Sequence, residues 1–168
     1  MTKKHISRVL NVVFILTVVL FMLDNVPSFD IKNQVLKSFT YYGVMILAPL
    51  MLVWNLLVLK TRRLKILGSI LPAIFTLAFV IVGPMSIVFW SGSWKTQTIL
   101  YQNGHLGFKR VEFQKQDIGA LGYNQRTVEV IYLTNLFMII SPVDKDVDNR
   151  IEWAKVNEEV NELGLKYP

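Results

Sequence analysis

The sequence lacks cysteine altogether and is poor in histidine, with His5 and His105 as its only two. The absence of cysteine excludes a disulfide framework, a thiolate nucleophile and a cysteine metal site. His5 belongs to a basic N-terminal segment and His105 follows a predicted turn far along the chain, so the two are not expected to form a pair. We therefore predict neither a metal ion nor a cofactor.

The sequence also lacks an arrangement typical of catalysis. Ser141 is the only serine after Ser93, and nothing in the pattern places it beside His105. The Gly-Ala-Leu-Gly segment at 119–122 lacks the strand-to-helix setting and the spacing of a phosphate-binding loop. Three carboxylates remain that a pairing of strands would bring together, although strand carboxylates are usually solvated and we expect the same here: Glu112, Asp117 and Glu129. We predict a protein without catalytic residues.

One acidic segment partly follows the pattern of a calcium-binding loop. Asp144, Asp146 and Asp148 alternate like the first, third and fifth ligands of such a loop. The sixth position requires glycine but is Asn149, and the twelfth requires glutamate but is Lys155. We therefore expect these acids to cap a following helix rather than to hold a metal.

Acids are scarce in the first 94 residues, where nine bases accompany only two acids. This region contains three long apolar stretches without charge, at 9–23, 38–59 and 66–94. A helix needs about 20 apolar residues to cross the hydrocarbon core of a membrane. The first stretch reaches that length if Arg8 extends its side chain toward the lipid headgroups.

We therefore predict that residues 1–94 form a transmembrane domain, followed by a soluble α+β domain at 95–168. The transmembrane helices are expected at three positions: about 7–26, 39–59 and 66–90.

The distribution of bases among the loops predicts how these helices are oriented. The N-terminal segment carries Lys3, Lys4 and Arg8, and the turn at 60–65 contains four bases and no acid. The loop at 24–37 contains two acids and two bases. Short loops rich in lysine and arginine remain in the cytoplasm. The N-terminus is thus predicted to be cytoplasmic and the tail extracytoplasmic, in the inner membrane of the cell.

Two alternatives affect this topology. The first apolar stretch also fits a signal-peptide core, with Val26-Pro27-Ser28 as a tolerable cleavage site. A break at Gly83-Pro84 would instead allow the third stretch to form a re-entrant hairpin and return the tail to the cytoplasm. Only residues 85–90 are solidly apolar after Pro84, which is too short for another crossing, so a kinked helix is the preferred interpretation.

Polar residues within the apolar stretches are few. Asn11 and Asn55 are expected to form hydrogen bonds between helices. Since no charged residue lies deep in a stretch, proton-driven transport is not expected. The loop at 28–39 has a helical pattern that begins at Ser28, which predicts an interfacial helix, with a partner-binding helix as the alternative.

The tail changes to the two-residue period of β-strands. Strands are predicted at 96–102, 106–114, 127–133 and 136–140. Asn103-Gly104 between the first two is typical of a type I′ hairpin turn, because both of its central residues need positive φ.

The end of the tail has a helical stripe of Trp153, Val156, Val160 and Leu163, with Gly164 as a stop. The predicted fold is therefore an α-helical membrane domain of three transmembrane helices, plus a small α+β tail of two β-hairpins and a C-terminal helix.

Four bases in or directly beside two predicted strands form the one candidate contact site, for lipid headgroups or an acidic partner: Lys109, Arg110, Lys115 and Arg126. The alternative is a solvated sheet face on which Glu112 and Glu129 balance these charges. The tail as a whole has nine bases and ten acids, so a nucleic-acid partner is not expected.

These observations predict a non-enzymatic accessory or interaction protein of the membrane. Its expected partners are the lipid bilayer and either another protein or further copies of this chain. The tail is small for an independent core, which favours such a partner. The alternatives are a membrane immunity protein that protects against a toxin, and a lipid-handling membrane enzyme that uses the four bases.

Overall fold

The computed structural model describes residues 3–144, 147 and 151–166, and it divides into two units. The helical unit consists of residues 1–23 and 38–91. The sheet unit consists of residues 24–37 and 92–168. The sheet unit thus combines the loop after the first helix with the tail, two segments that are far apart in the sequence.

The described part of the chain contains four α-helices: α1 (Lys3–Asp24), α2 (Gln34–Val58), α3 (Arg62–Val82) and α4 (Pro84–Trp90). The first three are long and apolar enough to cross a membrane, which confirms the prediction of three helices of spanning length. Their apolar residues continue almost without interruption, so these helices have no extended polar face.

α1 and α2 pack through a cluster of buried apolar side chains: Phe14, Val18, Val44, Ala48 and Met51. A Cβ atom at Gly43 would lie 3.0 Å from the Cγ2 atom of Thr17, which is closer than an ordinary van der Waals contact. Glycine at this position therefore allows the two helices to approach closely, as small residues do between membrane helices.

The two asparagines in the apolar stretches have different partners. Asn55 donates from Nδ2 to the carbonyl oxygen of Gly68 at 2.6 Å, so it joins α2 to α3 as predicted. Asn11 instead donates to the carbonyl oxygen of Ser7 in its own helix, at 2.7 Å. The prediction was wrong for Asn11, because a carbonyl one turn back is within reach of its amide.

The third apolar stretch forms two helices rather than one kinked helix. α3 ends at Val82 and α4 begins at Pro84, with Gly83 between them at φ 87° and ψ 140°. This conformation is accessible mainly to glycine. Pro84 then occupies the first position of α4, where its missing N–H costs no helical hydrogen bond.

Among the described residues, the sheet unit contains six antiparallel strands in the order β1-β5-β4-β3-β2-β6. Their bounds are β1 Phe29–Ile31, β2 Trp94–Asn103, β3 Lys109–Asp117, β4 Tyr123–Tyr132, β5 Phe137–Pro142 and β6 Trp153–Glu159. The four strands predicted in the tail correspond to β2 to β5. β1 and β6, at the two edges, were not predicted.

The predicted C-terminal helix is wrong, because residues 153–159 form β6 and pair with β2. Of the four residues in the helical stripe, Trp153 is buried, whereas Val156 and Val160 are exposed. Asn157 and Asn161 have φ values of 49° and 47°, which a right-handed helix does not accept. β6 pairs with the edge of β2 that does not pair with β3, and these long-range backbone hydrogen bonds outweigh the local helical pattern. The predicted caps Asp146 and Asp148 lie outside the described residues.

The predicted interfacial helix at 28–39 is also wrong. Its first part forms β1, which pairs with β5 through Phe29–Ile139 and Ile31–Phe137. α2 begins only at Gln34, and its cap is Asn33, whose side chain accepts from the N–H of Leu36 at 2.9 Å.

The Asn103-Gly104 pair does not form the predicted type I′ turn. Neither residue has positive φ, and the loop extends to Phe108 before β3 begins. The side chain of Asn103 accepts from the N–H groups of His105 and Leu106, at 3.0 and 2.9 Å. Asparagine therefore shapes this loop through its side chain rather than through a left-handed backbone.

Candidate functional site

Successive side chains of β3 point to opposite faces of the sheet, and these two faces differ in polarity around Val111 and Glu112. Val111 lies on one face and belongs to the apolar cluster that contains Trp153. Glu112, Gln114 and Gln116 lie on the other, which we call the polar face. Glu112 and Gln114 are only 1% and 0% exposed, so the expectation of a solvated Glu112 is wrong. Buried polar groups of this kind require hydrogen-bond partners.

One end of the polar face holds a cluster of four charged residues. Asp30 accepts from Lys37 at 2.7 Å and from Arg126 at 2.8 Å. Lys37 also lies 3.2 Å from Asp24. The side chains of Asp24, Asp30 and Lys37 are 1–5% exposed. Two acids and two bases neutralise one another, which is the condition under which charges can be buried.

Arg126 links this cluster to β3. Its Nε donates to Oε1 of Gln114 at 2.8 Å, and its guanidinium lies 4.1 Å above the ring of Trp94. Burial lowers the pKa of Arg126 below its ordinary value, although the adjacent Asp30 opposes this shift. A planar guanidinium can stack and donate at the same time, which a lysine cannot do.

Glu112 is the centre of the polar face. Its carboxylate accepts from the hydroxyl of Thr96 at 2.7 Å, from the hydroxyl of Tyr132 at 2.8 Å and from the amide of Gln114 at 2.9 Å. The donors come from β2, β4 and β3, so one buried carboxylate connects three strands.

Lys32 and Tyr132 continue the network toward the surface. The ammonium of Lys32 donates to the hydroxyl of Tyr132 and to Glu162, both at 3.0 Å. Burial lowers the pKa of Lys32, but its contacts with Tyr132 and Glu162 outweigh this effect, and the net pKa is raised. Burial, followed by the charge of Glu112, raises the pKa of Tyr132. Both side chains therefore remain protonated at neutral pH.

These groups border a cavity of about 260 Å³. Its polar wall consists of Lys32, Thr96, Arg110, Glu112, Tyr132, Glu158 and Glu162. A general base needs a pKa near the working pH, and a nucleophilic lysine needs a lowered one. The shifts of Lys32 and Tyr132 go the other way. These two shifts move the pKa values of Lys32 and Tyr132 away from the range that suits proton transfer.

The four predicted contact bases are divided between the two faces of the sheet. Arg110 and Arg126 lie on the polar face, and Lys109 and Lys115 lie on the opposite face. Lys109 forms an ion pair with Glu129 at 3.0 Å, and Lys115 is only 9% exposed. The four do not form one cluster, and their contact with lipid or a partner stays a prediction.

The other residues considered for chemistry are also separated. The hydroxyl of Ser141 donates to Glu129 at 3.4 Å, whereas the N–H of His105 donates to Asn103. Within residues 3–144, 147 and 151–166, no three potential metal ligands come together. The calcium-like segment falls largely outside these residues, because 145, 146, 148 and 149 are not described.

A second surface feature is a group of exposed apolar side chains at one end of the sheet. We call it the apolar loop patch: Leu106, Phe108, Leu133, Leu136 and Ile151. It combines the β2–β3 loop, the β4–β5 turn and the residues before β6. The N–H of Tyr132 donates to the carbonyl of Phe108, and that of Gly104 donates to the carbonyl of Glu152. These hydrogen bonds place the three segments side by side.

Sequence reasoning missed most of the polar face, although two signals were present. Glu112, Gln114 and Gln116 alternate along one strand, which indicates a polar face shared with its neighbours. The loop at 24–37 is balanced in charge, with two acids and two bases. Arg126 pairs with Asp30 of this loop, and Tyr132 donates to Glu112. Each of these contacts joins residues that are distant in sequence, so no local pattern predicts it.

Comparison with protein-family models, with curated proteins and with solved structures gives no match. What this protein does must therefore be inferred from its own residues.

Proposed function

We propose that this chain is a non-enzymatic accessory protein of the cell membrane, which presents the sheet unit outside the cytoplasm to a protein partner. In this proposal α1, α2 and α3 span the membrane and the N-terminus is cytoplasmic. The apolar loop patch carries the functional part of the proposal, as the surface that the partner contacts.

The pairing of β1 with β5 supports the proposed crossings by α2 and α3 independently of the loop charges. β1 lies between α1 and α2, whereas β5 lies in the tail after α4. Because they share one sheet, both segments must be on the same side of the membrane. Two crossings between them, by α2 and α3, satisfy this requirement. A re-entrant third stretch would separate the two strands and is therefore disfavoured.

The balance of charge in the polar face supports a structural rather than an enzymatic role. The charges of Asp30, Lys37 and Arg126 have opposite partners, and the buried carboxylate of Glu112 accepts hydrogen bonds from three neutral donors. The pKa shifts of Lys32 and Tyr132 keep their protons in place. A catalytic acid or base usually has a pKa shifted toward neutrality, whereas the shifts of Lys32 and Tyr132 beside this cavity go away from it.

The apolar loop patch is the surface best suited to a protein partner. Contiguous apolar side chains that remain exposed usually mark an interaction site. Addition of a partner strand at an edge is less favourable. β1 has only three residues, and β6 is acidic and interrupted by a register shift opposite Ile99 and Tyr101. Such short, charged or bulged edges resist pairing with another strand.

A photo-crosslinking amino acid at Phe108 tests the patch in living cells. We expect one discrete protein adduct from position 108 and none from the same amino acid at Leu121, an exposed residue of the β3–β4 connection. Leu133→Ser in the chain labelled at 108 should reduce the adduct at least about tenfold, since hot-spot apolar contacts are worth about 2 kcal/mol or more.

The mass of the adduct identifies the class of partner. A single heterologous protein supports the proposal, and an adduct of two copies of this chain assigns the patch to self-association. Adducts with lipid alone, or equal protein adducts from positions 108 and 121, would contradict a specific protein site in the patch.

A further inference from the structure

The helical unit contains another cavity, of about 670 Å³, at the end where α1 begins and where a short turn joins α2 to α3. Its wall combines two bases, two hydroxyl-bearing residues and apolar side chains: Arg8, Lys60, Ser7, Thr61, Leu59 and Leu64. The residues come from two separate segments, so the folding of the helical unit creates the site.

The cavity is positively charged. Arg8 and Lys60 are both exposed, and neither forms an ion pair with any residue that the structure describes. The adjoining turn adds Arg62, Arg63 and Lys65 and contains no acid. An anion at this position would therefore meet uncompensated positive charge.

The apolar part of the wall determines which anion fits. Val58, Leu59 and Leu64 line the cavity beside the two bases. An inorganic anion would leave these side chains in contact with water. An amphiphile would satisfy both parts of the wall, with its charged group at the bases and its hydrocarbon against the apolar side chains.

We propose that this cavity binds an anionic phospholipid, whose headgroup phosphate contacts Arg8 and Lys60. The inference rests on the membrane placement proposed above, which brings the ends of the helices to the level of the headgroups. Arginine can bind a phosphate through two parallel hydrogen bonds, and lysine contributes a point charge. Basic cavities between helices on the cytoplasmic side commonly bind such headgroups.

Native mass spectrometry of the full chain in detergent tests this site. The probes are dioleoylphosphatidylglycerol and dioleoylphosphatidylcholine, which have the same acyl chains but differ in net charge. We expect the anionic lipid to be retained preferentially. The Arg8→Gln/Lys60→Gln variant should weaken its binding at least about tenfold, since each base near a membrane surface contributes about fivefold.

Arg63→Gln/Lys65→Gln is the matched control, because it removes two charges next to the cavity from residues that do not line it. It should change binding by no more than about twofold if the site is local. Arg8→Lys/Lys60→Arg keeps both charges and should retain binding, which separates loss of charge from loss of folding. Equal losses in the two glutamine variants would show diffuse attraction and overturn the proposal.

Inorganic phosphate in excess distinguishes the two sources of this anion. Failure to displace the lipid supports a lipid site, whereas complete displacement would show a free-phosphate site and overturn the proposal. Extraction of membranes with alkaline carbonate separates this inference from the proposed function. A chain that resists extraction but shows no lipid preference contradicts only the lipid site, and a chain that is extracted contradicts the membrane placement itself.

Discussion

Asp30→Ala is expected to lower the free energy of unfolding of the sheet unit by about 3–5 kcal/mol, the usual effect of removing one partner from a buried ion pair. Asp30 is the only carboxylate of its cluster that contacts both Lys37 and Arg126 in the ion pairs described. Its loss leaves two cations and one remaining acid, Asp24, in a nearly dry environment. Hydrogen exchange followed by mass spectrometry, on the peptides of β4 and β5, measures the change.

Glu129→Gln provides the matched control for this prediction. It also breaks an ion pair of the sheet, with Lys109 at 3.0 Å, but both side chains are about one-fifth exposed. A partly solvated pair contributes about 1 kcal/mol or less. The ratio between the losses of unfolding free energy in the two variants therefore measures the effect of burial rather than the loss of a charge.

A second substitution tests whether charge balance explains the effect. Arg126→Gln in the Asp30→Ala chain removes one charge of each sign, so part of the lost stability should return. If the double variant is as unstable as the sum of the two single variants, charge balance is not the reason why Asp30 matters. If Asp30→Ala and Glu129→Gln lower the free energy of unfolding by equal, small amounts, the buried cluster does not stabilise the sheet unit as predicted.

Glu112→Ala is expected to destabilise the sheet unit by about 3–5 kcal/mol. The substitution leaves Thr96, Tyr132 and Gln114 without their common acceptor, and an unsatisfied buried donor costs about 1–3 kcal/mol. Hydrogen exchange should increase first in β3, since this strand carries Glu112 between two neighbours.

Glu158→Ala is the control for Glu112→Ala, because Glu158 lines the same cavity but is exposed. We expect its effect to stay within about 0.5 kcal/mol, as is usual for surface substitutions. If the effect of Glu112→Ala on the free energy of unfolding is also within that range, the carboxylate does not stabilise the polar face as predicted. A comparable loss in both variants would instead show that the cavity as a whole, rather than Glu112, determines stability.

The elements that the sequence predicts best are those with a strong local period. The apolar stretches give α1 to α3, and the alternation of residues such as Val128, Val130 and Tyr132 gives β4. The two edge strands had no such signal. β1 has only three residues and lies in a loop, so its strand character depends on β5, which is more than 100 residues away. In and just after β6 the spacing of Trp153, Val156 and Val160 favoured a helix, although of these three only Trp153 is buried.

The candidate site was predicted less well than the fold, for a physical reason. A strand carboxylate is usually solvated, and nothing near Glu112 in sequence shows that Thr96 and Tyr132 will enclose it. The ion pair of Asp30 with Arg126 likewise joins the first loop to β4. Burial of polar groups is a property of tertiary structure, whereas the contact site of four bases was predicted from their expected positions on adjacent strands. Strand alternation then places them on two faces.

In the proposed topology, the loop after α1 and the tail lie together outside the cytoplasm. Because the chain has no cysteine, single cysteines can report it directly: Val26→Cys, Leu121→Cys and Arg63→Cys, all at exposed positions. A membrane-impermeant maleimide should label the first two in cells with an intact inner membrane, and Arg63→Cys only after that membrane is opened. Labelling of Val26→Cys with protection of Leu121→Cys, or labelling of Arg63→Cys alone, would contradict the account.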